Sequence, residues 1–196
     1  MTAAAAASEA TPAASGLFLT LEGGDGAGKT TQAALLEDWL VARGRRVVRT
    51  REPGGTEVGA IIRDIVLHHR GDVSPRAEAL LYAADRAHHV ATVVRPALDR
   101  GDVVVQDRYL DSSVAYQGAG RVLGADEVRD LSLWATPFDR REAERDDCHA
   151  RVRPEFLRLA AAEPGRFLVL DATAPADDIA AAVRTRVSAL LDARTS

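Results

Sequence analysis

Apolar and polar positions alternate in blocks along this chain, and the block period changes from one block to the next. Leu17–Leu21 (LFLTL) is a short apolar run that reads as a strand and ends in glycines. Behind it, Ala33, Leu36, Leu40 and Val41 recur at helical spacing within Lys29–Arg43, and Gly44 is a good helix stop. Arg46–Thr50, built on Val47 and Val48, predicts a second strand. Glu57–His69 predicts a helix with Val58, Ile61, Ile62, Ile65 and Val66 on one stripe. Ser74-Pro75 looks like an N-cap followed by proline at the first helical position. The helix it opens reaches Asp99, with a kink expected at Pro96 and an end at Gly101. Asp102–Gln106 (DVVVQ) predicts a third strand and Asp126–Ala135 a helix. A charged helical stretch covers Arg140–Ala162, Phe167–Leu170 predicts a fourth strand, and Asp177–Leu191 a closing helix. Strand and helix alternate almost throughout, which predicts the α/β class: a parallel sheet with helices on both faces.

Composition narrows the functional range. At 196 residues a single domain is expected, and 46% apolar residues suffice for one core. Residues 1–16 are small and polar; they read as a disordered Ala-rich tail rather than a secretory leader, leaving 17–196 as the domain. A net charge of −4 argues against a general nucleic-acid binder. No apolar run is long enough to span a membrane. Cys148 stands alone, which excludes an intrachain disulfide and a cysteine zinc cluster and fits a reducing, cytoplasmic setting. The chain has no Asn, which excludes an N-glycosylation sequon and the Asn-Lys-x-Asp guanine-reading motif. Lys29 is the single Lys; every other member of the 25 Lys and Arg residues is Arg.

The position of that lysine is informative. Gly23-Gly24-Asp25-Gly26-Ala27-Gly28-Lys29-Thr30 fits G-x-x-x-x-G-K-[ST] at every fixed position, after a predicted strand and at the opening of a predicted helix. The glycines let the backbone curl with its N–H groups inward, forming a phosphate site with the helix N-terminus. Lys29 then reaches the β- and γ-phosphates as a compact charge, and the Thr30 hydroxyl sits on Mg²⁺. A plain Gly-rich turn needs neither a lysine nor a hydroxyl at those offsets.

Three further clusters bear on what receives the phosphoryl group. Arg51-Glu52-Pro53-Gly54-Gly55-Thr56 follows the second strand; Arg51 is either a fork for a phosphate or a solvated residue on a Pro-Gly turn. Gln106-Asp107-Arg108-Tyr109 ends the third strand at the same edge, where Asp107 can order Mg²⁺ or its waters and Arg108 can hold an acceptor phosphate. Ser112, Tyr116 and Gln117 follow in a polar loop. Tyr82 and Arg86 lie four apart on the long helix and share a face, a pairing that suits a nucleobase or, equally, a half-buried Tyr beside a surface Arg. His88 and His89 point different ways and read as helix surface or core edge, not as metal ligands.

LEGGDGAGKTTQ, TREPGGTEVG, LLYAADRAHH and DRYLDSSVAYQGAGR, in this order, resemble bacterial thymidylate kinase, a P-loop nucleoside monophosphate kinase family. The resemblance covers residues 17 to about 136 and resumes at Asp139. It implies a three-layer P-loop fold and an ATP-dependent transfer of the γ-phosphoryl group to dTMP, giving dTDP and ADP for dTTP supply. By motif position, ATP would lie on Gly23 to Thr31, with Lys29, Arg108 and Asp107 serving catalysis and Thr30 and Asp107 the Mg²⁺. Tyr82 would stack on thymine and Arg86 contact its edge. Arg51 and Arg108 would hold the dTMP phosphate, with Ser112 in the same substrate loop. Asp25 would lie near the sugar 3′-hydroxyl, and Tyr116 and Gln117 would close over base and sugar. A cytoplasmic homodimer with no nucleic-acid or membrane partner is implied too. A kinase for another nucleoside monophosphate and a non-catalytic nucleotide-binding paralogue are the alternatives.

The resemblance breaks after Thr136. The family continues there with a buried strand and a helix leading into a lid; this chain passes through Pro137-Phe138 into Asp139-Arg140-Arg141-Glu142. About one strand-plus-helix unit is missing. The phosphate loop carries no Arg, so an arginine from the lid is implied, and Arg140 is the candidate. Without the missing strand, Phe167–Leu170 must move over to pair with Leu17–Leu21, or an edge stays open. An incomplete sequence, a deletion that weakens the enzyme, and a partner chain filling the gap are the three explanations.

Overall fold

The computed structural model describes residues 16–119, 123–136 and 152–194. Three parallel strands form its sheet: β1 (Leu17–Leu21), β2 (Val47–Arg51) and β3 (Val103–Asp107), in the order β1-β3-β2. The central strand explains the three layers. Val103, Val104 and Val105 are all buried, and their side chains alternate between the faces. Val103 and Val105 join Leu17, Leu36, Leu40, Val183 and Val187, the core under α1 (Lys29–Val41) and a C-terminal helix. Val104 joins Val94 and Ala97 on the opposite face. A strand covered on both sides reads as an unbroken apolar run, which is what VVV is.

The remaining helices are α2 (Glu57–His68), α3 (Pro75–His89), α4 (Arg95–Asp99), α5 (Leu110–Ser113), α6 (Ala125–Ala135), α7 (Val152–Ala162) and α8 (Ala176–Asp192). The kink expected at Pro96 is a widened turn. A π-helical segment, Val90–Val94, joins α3 to α4, and the Arg95 N–H donates to the Val90 carbonyl, one residue further back than in an α-helix. Proline lacks an N–H and crowds the preceding turn, so the extra residue makes room just before it. Gly101 ends the run with φ at 80°.

Three expectations change. Phe167–Leu170 is not a strand: it does not pair with β1, Phe167 is half-buried against Arg166, and Leu168, Val169 and Leu170 are exposed. The outer edge of β1 therefore has no strand beside it among the described residues. With no neighbouring layer to cover it, this apolar stretch has nothing to pair against. The α2 stripe is the second. Ile62 is buried, but Val58, Ile61 and Ile65 are 44%, 64% and 38% exposed, because α2 meets α3 through one narrow line. Gly59 lies on that line; a Cβ there would come within 2.3 Å of an Asp85 carboxylate oxygen. Third, Gly16 belongs to the fold and not the tail, since its N–H donates to the Leu98 carbonyl at 3.0 Å. The expected helix over Arg140–Ala162 is described only over Val152–Ala162, where it is helical; residues 137–151, including Arg140, and the tail 1–15 lie outside the described residues.

Candidate active site

Strand register puts the site together. Leu21, Asp107 and Arg51 lie side by side at the carboxyl ends of β1, β3 and β2. In a parallel sheet these ends share one rim, where ligands of open α/β folds bind. Residues more than 80 positions apart in sequence thus reach one cavity of about 440 Å³. It is lined by Asp25, Gly26, Gly28, Lys29, Thr30 and Thr31 of the loop after β1, by Arg51 and Glu52 after β2, by Arg63 of α2, and by Asp107 and Arg108.

On the donor side, Gly26 and Gly28 adopt positive φ, 76° and 79°, conformations that suit glycine. Among the described residues no side chain caps α1. Its first N–H groups therefore face the cavity without intrahelical partners, as an anion site requires. The Lys29 ammonium folds over the loop and donates to the carbonyls of Gly23 (3.1 Å) and Gly24 (2.7 Å). Burial, then the neighbouring Arg108 charge, lower its pKa, while Asp107, Asp25 and Glu22 pull the other way.

Thr30 Oγ1 and Asp107 Oδ2 are 3.5 Å apart, and Asp107 Oδ1 is buried without a partner. A hydroxyl beside a carboxylate with one oxygen unpartnered fits a small divalent cation that would complete its shell with water and phosphate oxygens. Among the described residues no three His, Cys, Asp or Glu side chains gather into a protein-only cage.

On the acceptor side Arg108 is held against its backbone preference. Its φ is 65°, unusual for a residue with a side chain. Its N–H donates to the Leu21 carbonyl (3.1 Å), and its own carbonyl accepts from the Gln106 amide (2.9 Å). Its guanidinium donates to Asp25 Oδ1 at 2.6 Å and Ser112 Oγ at 3.2 Å, and lies 5.0 Å from the Tyr116 ring centre. Tyr116 in turn meets Phe156 edge-on.

Beneath this rim runs a buried polar network. Glu52 accepts from Arg86 Nε and pairs with His89 Nδ1, both at 2.9 Å; His89 Nε2 bonds Thr50 Oγ1 at 2.7 Å. Arg86 also donates to Ser132 (2.8 Å) and Ser113 (2.6 Å). Asp85 accepts from the Gly54 N–H, and burial together with Glu52 raises its pKa. Arg86 therefore lies inside the protein rather than on the cavity wall. Tyr82 is half-buried on α3, and Gln117 is buried with its amide donating to Glu78. Of the residues the sequence singles out, Asp25, Gly26, Gly28, Lys29, Thr30, Thr31, Arg51, Asp107 and Arg108 line this cavity, and Gly23, Gly24 and Ala27 do not. Arg86, Tyr82, Ser112, Tyr116 and Gln117 are not among its lining residues, though Ser112 and Tyr116 contact the lining Arg108.

Arg63, Glu52 and Glu22 are functional candidates beyond those the sequence pattern singles out. Arg63 donates to the Pro53 carbonyl (2.9 Å) and reaches the cavity across the turn. Glu22 closes β1 with a charge, an available signal. Glu52 and Arg63 carried none, because their roles depend on the turn that folds between them.

A thymidylate kinase family model matches residues 21–137, more than half of the chain. The chain belongs to the thymidylate kinase family. A thymidylate kinase of Leifsonia xyli subsp. xyli is 65% identical over 199 positions, covering 88% of this chain and 94% of its own. One of Clavibacter michiganensis subsp. michiganensis is 62% identical, covering 92% and 99%. The crystal structure of thymidylate kinase from Ehrlichia chaffeensis superposes with a TM-score of 0.78 at 29% identity, covering 89% of this chain and 99% of that one. The Leifsonia alignment takes in fewer residues of this chain than it has positions, so part of that thymidylate kinase has no counterpart here. The family match itself stops at Pro137, beside the junction where the unit is missing.

Proposed function

We infer that the chain transfers the γ-phosphoryl group of ATP to dTMP, giving dTDP and ADP. Family membership supports the reaction. The observation that carries the assignment of the site is that Lys29, Asp107, Arg51 and Arg108 line one cavity. A triphosphate lies over the loop amides and Lys29, and the acceptor monoester faces it from Arg51, Arg108 and Arg63. The monoester oxygen is already nucleophilic at neutral pH, so the chain need not supply a strong base; alignment and charge compensation carry the reaction. Thr30 and Asp107 would hold a Mg²⁺, which would supply positive charge to offset that of the phosphates. Lys29 and the arginines spread the remaining negative charge, and Asp25 keeps the Arg108 fork turned toward the loop until substrate arrives. Tyr82 and Arg86 shape the base end, and Ser112, Tyr116 and Gln117 the sugar end. Arg140 would supply the lid charge.

The exposed apolar face of α2 (Val58, Ile61, Ile65) supports a homodimer packed through that helix. The chain is a cytoplasmic enzyme on this reading; among the described residues no helix is long and apolar enough to cross a membrane. The decisive experiment is a coupled assay with ATP, Mg²⁺ and dTMP. Robust dTDP formation is expected. Absence of dTDP with intact ATP binding would instead identify a nucleotide-binding protein whose lid is lost.

A further inference from the structure

Glu22 closes β1 immediately before the phosphate loop, and nothing in the transfer reaction uses it. Its two oxygens are engaged on the acceptor side. Oε1 accepts the Tyr109 N–H at 2.8 Å, and Oε2 accepts from the Ser112 hydroxyl. Ser112 Oγ in turn accepts from the Arg108 guanidinium at 3.2 Å. One carboxyl group thereby holds the main chain just after the left-handed Arg108 and, through one hydroxyl, one arm of its guanidinium.

The other arm of that guanidinium has a weaker hold. It rests on Asp25, whose side chain is 95% exposed and free to yield to an arriving phosphate. Ser112 is buried, so its link to Glu22 is the fixed end of the fork.

The groups facing Glu22 make a carboxyl an expensive choice for a mere loop tie. Asp111, clamped by two bonds from Arg166 (2.8 and 3.0 Å), adds like charge; Arg108 and Lys29 oppose it. Burial first, then Asp111, push its pKa up to about 8. The geometry survives in either protonation state. The ionised group accepts the Ser112 O–H; the neutral acid donates to Ser112 Oγ and leaves that hydroxyl's own proton for another acceptor.

We propose that Glu22 is a positioning residue for the acceptor phosphate, setting the orientation of Arg108 through Ser112. This rests on the assignment of the cavity as the dTMP kinase site. It predicts a split between the two substrates. Glu22→Ala raises KM for dTMP about tenfold or more and leaves KM for ATP within about twofold. Glu22→Gln, which keeps a donor and an acceptor, recovers most of that loss. Ser112→Ala raises KM for dTMP likewise, and the Glu22→Ala/Ser112→Ala double variant is no worse than the poorer single one.

Three results overturn the proposal: an unchanged KM for dTMP in folded Glu22→Ala, an equal rise in both KM values, or independent, multiplying losses in the double variant. Should Glu22→Ala fail to fold, Glu22→Gln against Ser112→Ala decides by the same split, since an unchanged KM for dTMP in Ser112→Ala breaks the chain of contacts. An inactive wild-type chain refutes the kinase assignment instead, so the two failures are distinguishable.

Discussion

The two rims of the cavity are built by opposite means. The donor rim is eight consecutive residues, Gly23–Thr30, whose groups are largely backbone and whose lysine is held by carbonyls five and six residues away. The acceptor rim is assembled from side chains at the carboxyl ends of β1, β2 and β3 and on α2, α3, α5 and α6, tied by polar bonds spanning 27 to 90 positions. The donor rim needs little from the rest of the molecule. The acceptor rim is inseparable from the core beneath it. Chemistry and stability should therefore separate at one rim and move together at the other.

Lys29→Ala is the sharpest test of that separation. Turnover is expected to fall about a thousandfold, while thermal unfolding stays close to wild type, because on the proposed mechanism the ammonium would stabilise developing phosphoryl charge rather than the fold. A melting temperature that falls along with the rate would erase the contrast. Glu52→Ala is the counterpart. It leaves Arg86 buried beside an empty partner position, with a cost of about 3–5 kcal/mol in denaturant unfolding and a weaker hold on dTMP. A loss below about 1 kcal/mol would show that the network is not what supports the rim.

The pH dependence of stability gives a finer probe. The Glu22 carboxyl is pushed up to about 8, chiefly by burial and then by Asp111. The native state therefore binds a proton that the unfolded chain releases near the ordinary glutamate value. Its contribution is complete below about pH 4.5 and declines as the pH rises toward 8, by at most about 1.4 kcal/mol per pH unit. Denaturant titrations from pH 5 to 9 should show this slope, and Glu22→Gln should flatten it. The smallest effect belongs to Asp25→Ala. Its pair with Arg108 is solvated, so stability should change by less than about 1 kcal/mol and KM for ATP should barely move. A large destabilisation would place that contact among the buried ties instead.

The element order was readable because each block carries its own period. β1 falls where LFLTL predicts it, and the helices expected at Lys29, Glu57 and Pro75 begin at those residues. Strand β2 and strand β3 are each one residue later than the pattern suggests, within the ordinary uncertainty of strand ends. Phe167–Leu170 misled because a short apolar run has no way to state whether a neighbouring strand exists. For Arg86 on α3 the sequence left open a nucleobase contact or a surface position, and the pairing with Glu52, Ser113 and Ser132 that encloses it is visible only in the fold.

What the chain's residues determined alone is the phosphate loop. Gly26, Gly28, Lys29 and Thr30 need only their neighbours to take up their geometry, so residue type and spacing suffice. The tertiary structure decided the acceptor side: which arginines face the cavity, which are sealed below it, and that Glu22 reaches Ser112. Burial and pairing depend on what packs overhead, and that depends on strand register and helix placement, which no local stretch of sequence contains.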